Sequence, residues 1–167
     1  VHVGDTRAYE LTGAETRQLT VDQTFVHREV EAGRLTPEEA LTHPRRNVLL
    51  QCLGSTKEVV PDLVHGNLDR DAVYLLCSDG FRHVITATEL RRRLGPDALT
   101  DTAWMAERAR AGYARATAVT LDAEEAEGFA EGCVTQRIAA TAKLVMDRKE
   151  ADNVTCVVLR VVPEGGR

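Results

Sequence analysis

The chain has 167 residues, 43% hydrophobic and 28% charged, a composition typical of one globular domain with a sizeable core. Its formal net charge of −5 and pI near 5.6 argue against nucleic acid or a membrane surface as a partner. No apolar run reaches the length of a membrane span, and no signal peptide is visible. The four cysteines are widely spaced, which favours reduced thiols over disulfides or a zinc site, so we expect a cytoplasmic protein.

The first eleven residues alternate with a β-like period that Gly4-Asp5 interrupts. This pattern predicts two short strands or one kinked strand, with the carboxylate of Asp5 at the break. An Asx turn is the alternative explanation for Asp5. Because the pattern begins directly at Val1, we expect the chain to be a piece of a longer protein.

Two short helices are predicted next, over residues 24–32 and 35–41. The second begins with Thr-Pro-Glu-Glu from Thr36, the signature of a capping box with proline in the first turn. This charged pair is either a mobile flap over a site or a surface connection. His43 is either a catalytic acid or a turn histidine beside proline.

Three apolar stretches in the middle of the chain predict strands. Residues 47–54 and 59–66 are the first two, and Val73–Cys77 is the third. The third stretch ends abruptly in Ser-Asp-Gly, which leaves the carboxylate of Asp79 at the mouth of a buried strand. A carboxylate held in this way is well placed to bind a metal ion, and a plain turn at Asp79-Gly80 is the alternative.

The sequence pattern of the last part of the chain predicts helices and a final strand. Helical patterns cover residues 89–94 and 133–148, and we expect the second of these to pack across a sheet. Residues 154–162 are apolar enough for a central strand, and Asp152 comes shortly before them.

Asp5, Asp79 and Asp152 share one context, because each lies where a strand is interrupted, ends or begins. Three carboxylates at strand edges can converge at one rim of a sheet. Their mutual repulsion would make an empty site costly, and a hard divalent cation would relieve it. Ligation by oxygen alone favours Mg²⁺ or Mn²⁺ over zinc.

Six motifs, in order along the chain, resemble the metal-dependent serine/threonine protein phosphatases of type 2C, the PPM family, and above all its bacterial branch. They are V-H-V-G-D-T-R-A-Y at 1–9, L-T-V-D-Q-T at 19–24, G-R-L-T-P-E-E-A-L-T-H-P-R-R-N at 33–47, Q-C-L-G at 51–54, L-L-C-S-D-G-F at 75–81 and A-D-N-V-T-C-V-V at 151–158. The resemblance implies an α+β fold, an α-β-β-α sandwich of two antiparallel sheets flanked by helices. Here the sandwich would be incomplete, with its N-terminal strands missing.

The resemblance also implies how the chain is divided. Residues 1–163 match the C-terminal part of a single phosphatase domain, and residues 164–167 form a tail. Residues 22–47 match a flap that controls substrate access, and within it we single out Thr24, Arg34 and His43. The helical segment 97–131 is longer and richer in alanine than the family's usual connection.

The implied activity is hydrolysis of phosphoserine and phosphothreonine by water that two or three Mg²⁺ or Mn²⁺ ions activate. Asp79 and Asp152 match ligands of the second metal, and Asp5 matches the residue that joins Asp79 at a third metal in bacterial members. Gly80 and Asn153 would support the site, and no catalytic residue is nameable beyond the metal ligands. Phosphorylated proteins, with a cognate serine/threonine kinase and its substrates, are the partners that the resemblance implies.

The chain also departs from the family pattern. It contains neither the family's phosphate-binding Arg nor the Asp-Gly-x-Gly-Gly stretch whose Asp bridges two metals. We therefore expect this chain alone to be inactive. The alternative is a catalytically inactive, phosphatase-like regulatory or scaffold domain.

Overall fold

A four-stranded antiparallel sheet forms the centre of the protein in the computed structural model, which describes residues 1–55, 58–99, 137–148 and 153–160. The strands are β1 (Arg7–Leu11), β2 (Thr16–Gln18), β3 (Val73–Cys77) and β4 (Cys156–Arg160), in the order β2-β1-β3-β4. Tyr9 of β1 lies opposite Leu75 of β3, and Leu75 lies opposite Val158 of β4. The sheet thus brings both ends of the chain to the central Val73–Cys77 strand.

Short helices surround this sheet. They are α1 (Phe25–Glu31), α2 (Pro37–Thr42), α3 (Asp79–Arg82), α4 (Ala87–Leu94), α5 (Pro96–Leu99) and α6 (137–147). Across the described ranges, every helix is too short or too polar to cross a bilayer.

One face of the sheet forms the hydrophobic core with the helices. Because strand side chains alternate between faces, Leu11 and Leu75 point to the same side, and both are fully buried. Phe81 of α3, Leu94 of α4 and Val145 of α6 pack in the same cluster and are also fully buried. The α3 turn is therefore fixed to the core directly beside its own strand.

The opposite face of the sheet is partly uncovered in the described structure. Leu76, Val157 and Leu159 point to this side and are 45%, 51% and 53% exposed. Three neighbouring apolar side chains at this level of exposure form a patch that soluble proteins usually cover.

The α+β fold class is confirmed, as is the position of Val73–Cys77 between two strands. The capping box of α2 is present as predicted, and so is the helix that packs its apolar side onto the sheet. Most of the segment 97–131 and the tail 164–167 lie outside the described residues, and so does the extra helix predicted there.

Three strand predictions need correction. Residues 47–54 and 59–66 make single bridges, Thr24 to Leu49 and His2 to Asp62, instead of strands. Their apolar side chains are exposed, so no neighbouring strand stabilises an extended ladder there. The final strand, predicted to be central, lies at the edge of the four described strands because β4 pairs with β3 alone.

Candidate metal-binding cleft

Asp5 lies at a break in the chain between an isolated bridge at His2 and strand β1. The break depends on Gly4, whose φ of +97° is a conformation that side chains other than glycine rarely adopt. Gln23 fixes this conformation with two hydrogen bonds of 2.8 Å. Its side-chain oxygen accepts from the Gly4 N–H, and its backbone N–H donates to the Gly4 carbonyl. The half-buried carboxylate of Asp5 is thus presented at the start of β1.

Asp79 is placed by the transition from strand β3 to helix α3. The turn expected at Asp79-Gly80 is the first turn of this short helix, with Ser78 at the N-cap position. Gly80 is buried, and its N–H donates to the Asp79 carboxylate at 2.9 Å. A carboxylate at the first turn of a helix packed into the core has little freedom to move.

Ser78 joins this turn to the segment that leads into β4. Its hydroxyl donates to the Asn153 carbonyl at 2.9 Å and accepts from the Thr155 N–H at 3.1 Å, while its own N–H donates to the Thr155 carbonyl at 3.0 Å. Asn153 therefore lies beside the Ser-Asp-Gly turn, on the segment that follows Asp152 in sequence. Asp152 itself lies outside the described residues.

The charge of Asp79 acts on the carboxylate of Asp5. Burial raises the pKa of Asp5 above its ordinary value, and the negative charge of Asp79 raises it further, while Arg82 opposes both effects. The two carboxylates repel each other at one end of the sheet, where β1 begins and β3 ends.

An ion-pair network that sequence reasoning missed surrounds these carboxylates. Arg7 of β1 holds Asp22 with two hydrogen bonds, Nε to Oδ1 at 2.8 Å and Nη2 to Oδ2 at 2.7 Å. Arg82 of α3 lies between the two acids, its Nη2 3.4 Å from Asp22 Oδ2 and 3.6 Å from Asp5 Oδ2. Two features of the sequence could have indicated this network: Arg7 at the end of Gly-Asp-Thr-Arg, and Arg82 directly after Asp-Gly-Phe.

These groups open onto a cleft of about 640 Å³. Asp5, Asp22, Arg7 and Arg82 line its charged side, and helices α1 and α2 line the other side through residues that include Val26, His27, Val30, Pro37 and Leu41. Helices α1 and α2 of the predicted flap, residues 22–47, therefore form one wall of a cleft whose opposite wall carries the candidate metal ligand Asp5.

The base of this flap is fixed while its helices are loosely held. The Phe25 N–H donates to the Val48 carbonyl, and the Leu50 N–H donates to the Gln23 carbonyl, both at 2.8 Å. Neither α1 nor α2 contains a fully buried residue. Elements with few buried contacts belong to the less stable parts of a fold, and this suits a segment that opens and closes over a cleft.

The three flap residues named from the sequence lie in different places. Thr24 lines the cleft and caps α1, where its hydroxyl accepts from the His27 N–H at 3.2 Å. Arg34 is exposed and forms a two-bond ion pair with Glu29 on the outside of the flap. His43 packs its ring 5.6 Å from the ring of Phe25. Neither Arg34 nor His43 is part of the cleft lining.

The donor set at Asp5 and Asp79 fits a hard divalent cation. Within the four described ranges, no three His, Cys, Asp or Glu side chains group together as a metal site, and the third predicted ligand, Asp152, lies outside them. Mg²⁺ commonly uses one or two carboxylates and keeps several waters. Two mutually repelling carboxylates beside an open cleft meet that requirement.

No protein-family model matches the chain. Individual relatives do match. The protein phosphatase PhpP of Streptococcus pneumoniae is 40% identical over 90 residues, which cover 54% of this chain and 37% of PhpP. The serine/threonine protein phosphatase PstP of Mycobacterium tuberculosis is 46% identical over 80 residues, covering 48% of this chain and 15% of PstP.

The fold matches the same group of proteins. The catalytic domain of the serine/threonine protein phosphatase PstP, solved in complex with two manganese ions, superposes with a TM-score of 0.62 at 28% identity. That match covers 95% of this chain and 50% of the PstP domain. The α+β fold is thus similar to that of this phosphatase domain.

The chain is thus similar in sequence to bacterial serine/threonine protein phosphatases and similar in fold to solved bacterial serine/threonine phosphatases. It spans about half the length of the solved phosphatase chains and 37% or less of the two curated relatives named above.

Proposed function

We propose that this chain forms part of a metal-dependent phosphatase that hydrolyses phosphoserine and phosphothreonine in proteins. The observation that carries the proposal is the carboxylate of Asp5 in the lining of a cleft that the flap segment encloses, with its pKa raised further by the nearby charge of Asp79. The sequence similarity to PhpP and PstP, both named as phosphatases, supports the same activity.

Asp5, Asp79 and Asp152 would hold Mg²⁺ or Mn²⁺. When bound, these ions lower the pKa of water and neutralise the charge that develops on a transferring phosphoryl group. Gly80 supports the site by fixing the Asp79 carboxylate with its N–H. Ser78 and Asn153 support it by holding the segment next to Asp152 against the same turn.

The remaining residues of the cleft would orient its acidic groups and enclose the space in front of them. Arg7 fixes Asp22, so that the side of the cleft next to Asp5 keeps its shape. The flap, residues 22–47 with Thr24 in the cleft wall, would admit a phosphorylated segment and limit the access of water. Arg34 and His43 would act on the flap's own structure, through Glu29 and Phe25 respectively.

We further propose that residues 1–163 are the C-terminal part of one phosphatase domain, with 164–167 as a tail. The exposed apolar side chains Leu76, Val157 and Leu159 support this, because they form a sheet face suited to packing against a second sheet. Segment 97–131 would add an outer helix. Phosphorylated proteins, with a cognate serine/threonine kinase and its substrates, would be the partners.

The experiment is Mn²⁺-dependent hydrolysis of p-nitrophenyl phosphate and of a phosphothreonine peptide. It is run on the 167-residue chain and on the complete protein encoded by the reading frame that contains it. We expect the complete protein to be active and Asp79→Asn to reduce its kcat at least about 100-fold, because a ligand is lost.

Asp71→Asn is the matched control, since Asp71 is exposed at the opposite end of β3. It should leave the activity unchanged. A complete protein that folds, binds no Mn²⁺ and hydrolyses neither substrate would refute the proposal in favour of a regulatory or scaffold domain.

A further inference from the structure

Arg82 occupies an unusual position for a cation in a proposed metal site. It follows Asp79 by three residues in α3, so both side chains lie on the same side of one helical turn. The guanidinium Nη2 is 3.6 Å from Asp5 Oδ2, and the side chain is only 13% exposed. A largely buried positive charge therefore lies next to the carboxylate that is proposed to receive a divalent cation.

The second acid in contact with Arg82, Asp22, is already paired with Arg7. Asp22 already accepts two short hydrogen bonds from Arg7, at 2.8 and 2.7 Å, and its contact with Arg82 is longer, at 3.4 Å. The charge of Asp22 is thus matched by Arg7. The positive charge of Arg82 therefore acts on Asp5 as well as on Asp22, and Arg82 is the cation that lies beside Asp5 in the described network.

Arg82 is also loosely held. Its Nε is buried without a hydrogen-bond partner in the described structure, and its contacts with both acids exceed the usual N–H···O distance of about 2.9 Å. A guanidinium that pairs well with a carboxylate forms two parallel bonds, as Arg7 does with Asp22. Moving Arg82 away from Asp5 therefore breaks no such two-bond arrangement.

We propose that Arg82 is the resident counter-cation of Asp5 and that it lowers the affinity of this carboxylate for Mg²⁺ or Mn²⁺. A divalent ion binding at Asp5 either displaces the guanidinium or binds against its repulsion. The inference rests on the proposed metal site and adds a residue that sets its affinity. Arg82 is a positioning residue in this role, because it acts through Asp5 and not on the substrate.

The test is direct Mn²⁺ binding, followed by the loss of the electron paramagnetic resonance signal of free Mn²⁺. It is performed on the complete encoded protein and on the chain. We expect Arg82→Gln to tighten Mn²⁺ binding by at least about tenfold, since a unit charge a few ångströms away is removed from a partly buried site. Arg82→Lys retains the charge and should stay near the wild-type affinity.

Two further variants isolate the cause. Arg92→Gln removes the same charge from an exposed position on α4 and should leave the affinity unchanged. In an Asp5→Asn background, Arg82→Gln should lose most of its effect, because the carboxylate through which it acts is gone. Arg82→Met replaces Arg82→Gln if circular dichroism shows that the glutamine variant does not fold.

The outcomes separate this inference from the proposed function. Mn²⁺ binding that Arg82→Gln leaves unchanged or weakens would overturn the role of Arg82 while the metal site stands. Absence of Mn²⁺ binding in the wild type and in every folded variant would overturn both. Tighter binding in Arg82→Gln that Arg82→Lys and Arg92→Gln do not reproduce would support the inference.

Discussion

Removal of the Asp22 carboxylate should destabilise the fold strongly. The side chain is 10% exposed and accepts two hydrogen bonds from Arg7, and Arg82 lies 3.4 Å away. Asp22→Ala would leave two neighbouring guanidinium groups without the acid that joins them. Loss of one partner from a buried ion pair costs about 3 to 5 kcal/mol of unfolding free energy. Arg7 is 27% exposed and regains some hydration, so we expect about 3 kcal/mol.

The assay is urea denaturation, with thermal unfolding as a second measurement. For a chain of this size, a loss of about 3 kcal/mol corresponds to a fall in Tm of about 6 to 12 °C. Asp147→Ala is the matched control, because Asp147 pairs with Lys143 at 3.2 Å but both side chains are more than half exposed. Its expected cost is within about 0.5 kcal/mol. Equal destabilisation by the two variants would refute the assignment of Asp22 as the centre of a buried network.

Two other predictions concern helix α4. A hydrogen bond from Arg148 lowers the pKa of Glu89 from 4.5 to about 2. The stabilisation that this ion pair gives the folded protein is therefore complete above the unfolded-state pKa of Glu89 and is lost as the pH falls. Glu89→Gln should therefore lower Tm at neutral pH, and its difference from wild type should narrow between pH 4.5 and 2; a constant difference would contradict the ion pair. At Gly95, an added Cβ would lie 2.4 Å from the Arg91 carbonyl oxygen, so Gly95→Ala should cost about 1 to 3 kcal/mol in urea denaturation. Gly66→Ala, where no atom lies within 4 Å of the added Cβ, should be nearly neutral, and equal costs would exclude a steric origin.

Local sequence signals predicted the parts of the fold that neighbouring residues determine. Thr36 and Glu39 form the predicted capping box, with each side chain accepting from the other residue's N–H at 3.2 and 2.8 Å. The central strand was likewise evident from its apolar run and the Asp-Gly that ends it. Such features depend on residues three or four positions apart, so a single sequence contains the necessary information.

The two incorrect strands show where this information ends. Residues 47–54 and 59–66 have strand-like composition, but strand formation depends on a neighbour that supplies hydrogen bonds and covers the apolar side. In the described structure each segment meets one bridging residue, and Leu53 and Val60 are 80% and 71% exposed. Composition shows that these segments can adopt an extended backbone. It does not show whether a partner strand lies beside them.

The candidate site could likewise be predicted only in part. Asp5 and Asp79 could be named because each lies at an interruption of a strand, which is a local property. The arginine network could not be named, since Arg7 lies 15 residues from Asp22 and Arg82 lies 60 residues from it. Ion pairs over such separations depend on the packing of β1 against β3 and on the direction of α3, neither of which follows from residue spacing.

The arginine network offsets part of the repulsion among the acids at this end of the sheet. Asp5 and Asp79 repel each other in a partly buried site, and the raised pKa of Asp5 reflects that cost. Arg82 offsets part of it, and at the proposed metal site the same charge would oppose a divalent ion at Asp5. Under that proposal, stability of the fold and affinity for the metal would be opposing consequences of one side chain. A variant without the guanidinium should depend more on the metal for its stability, because only the ion then compensates the two carboxylates.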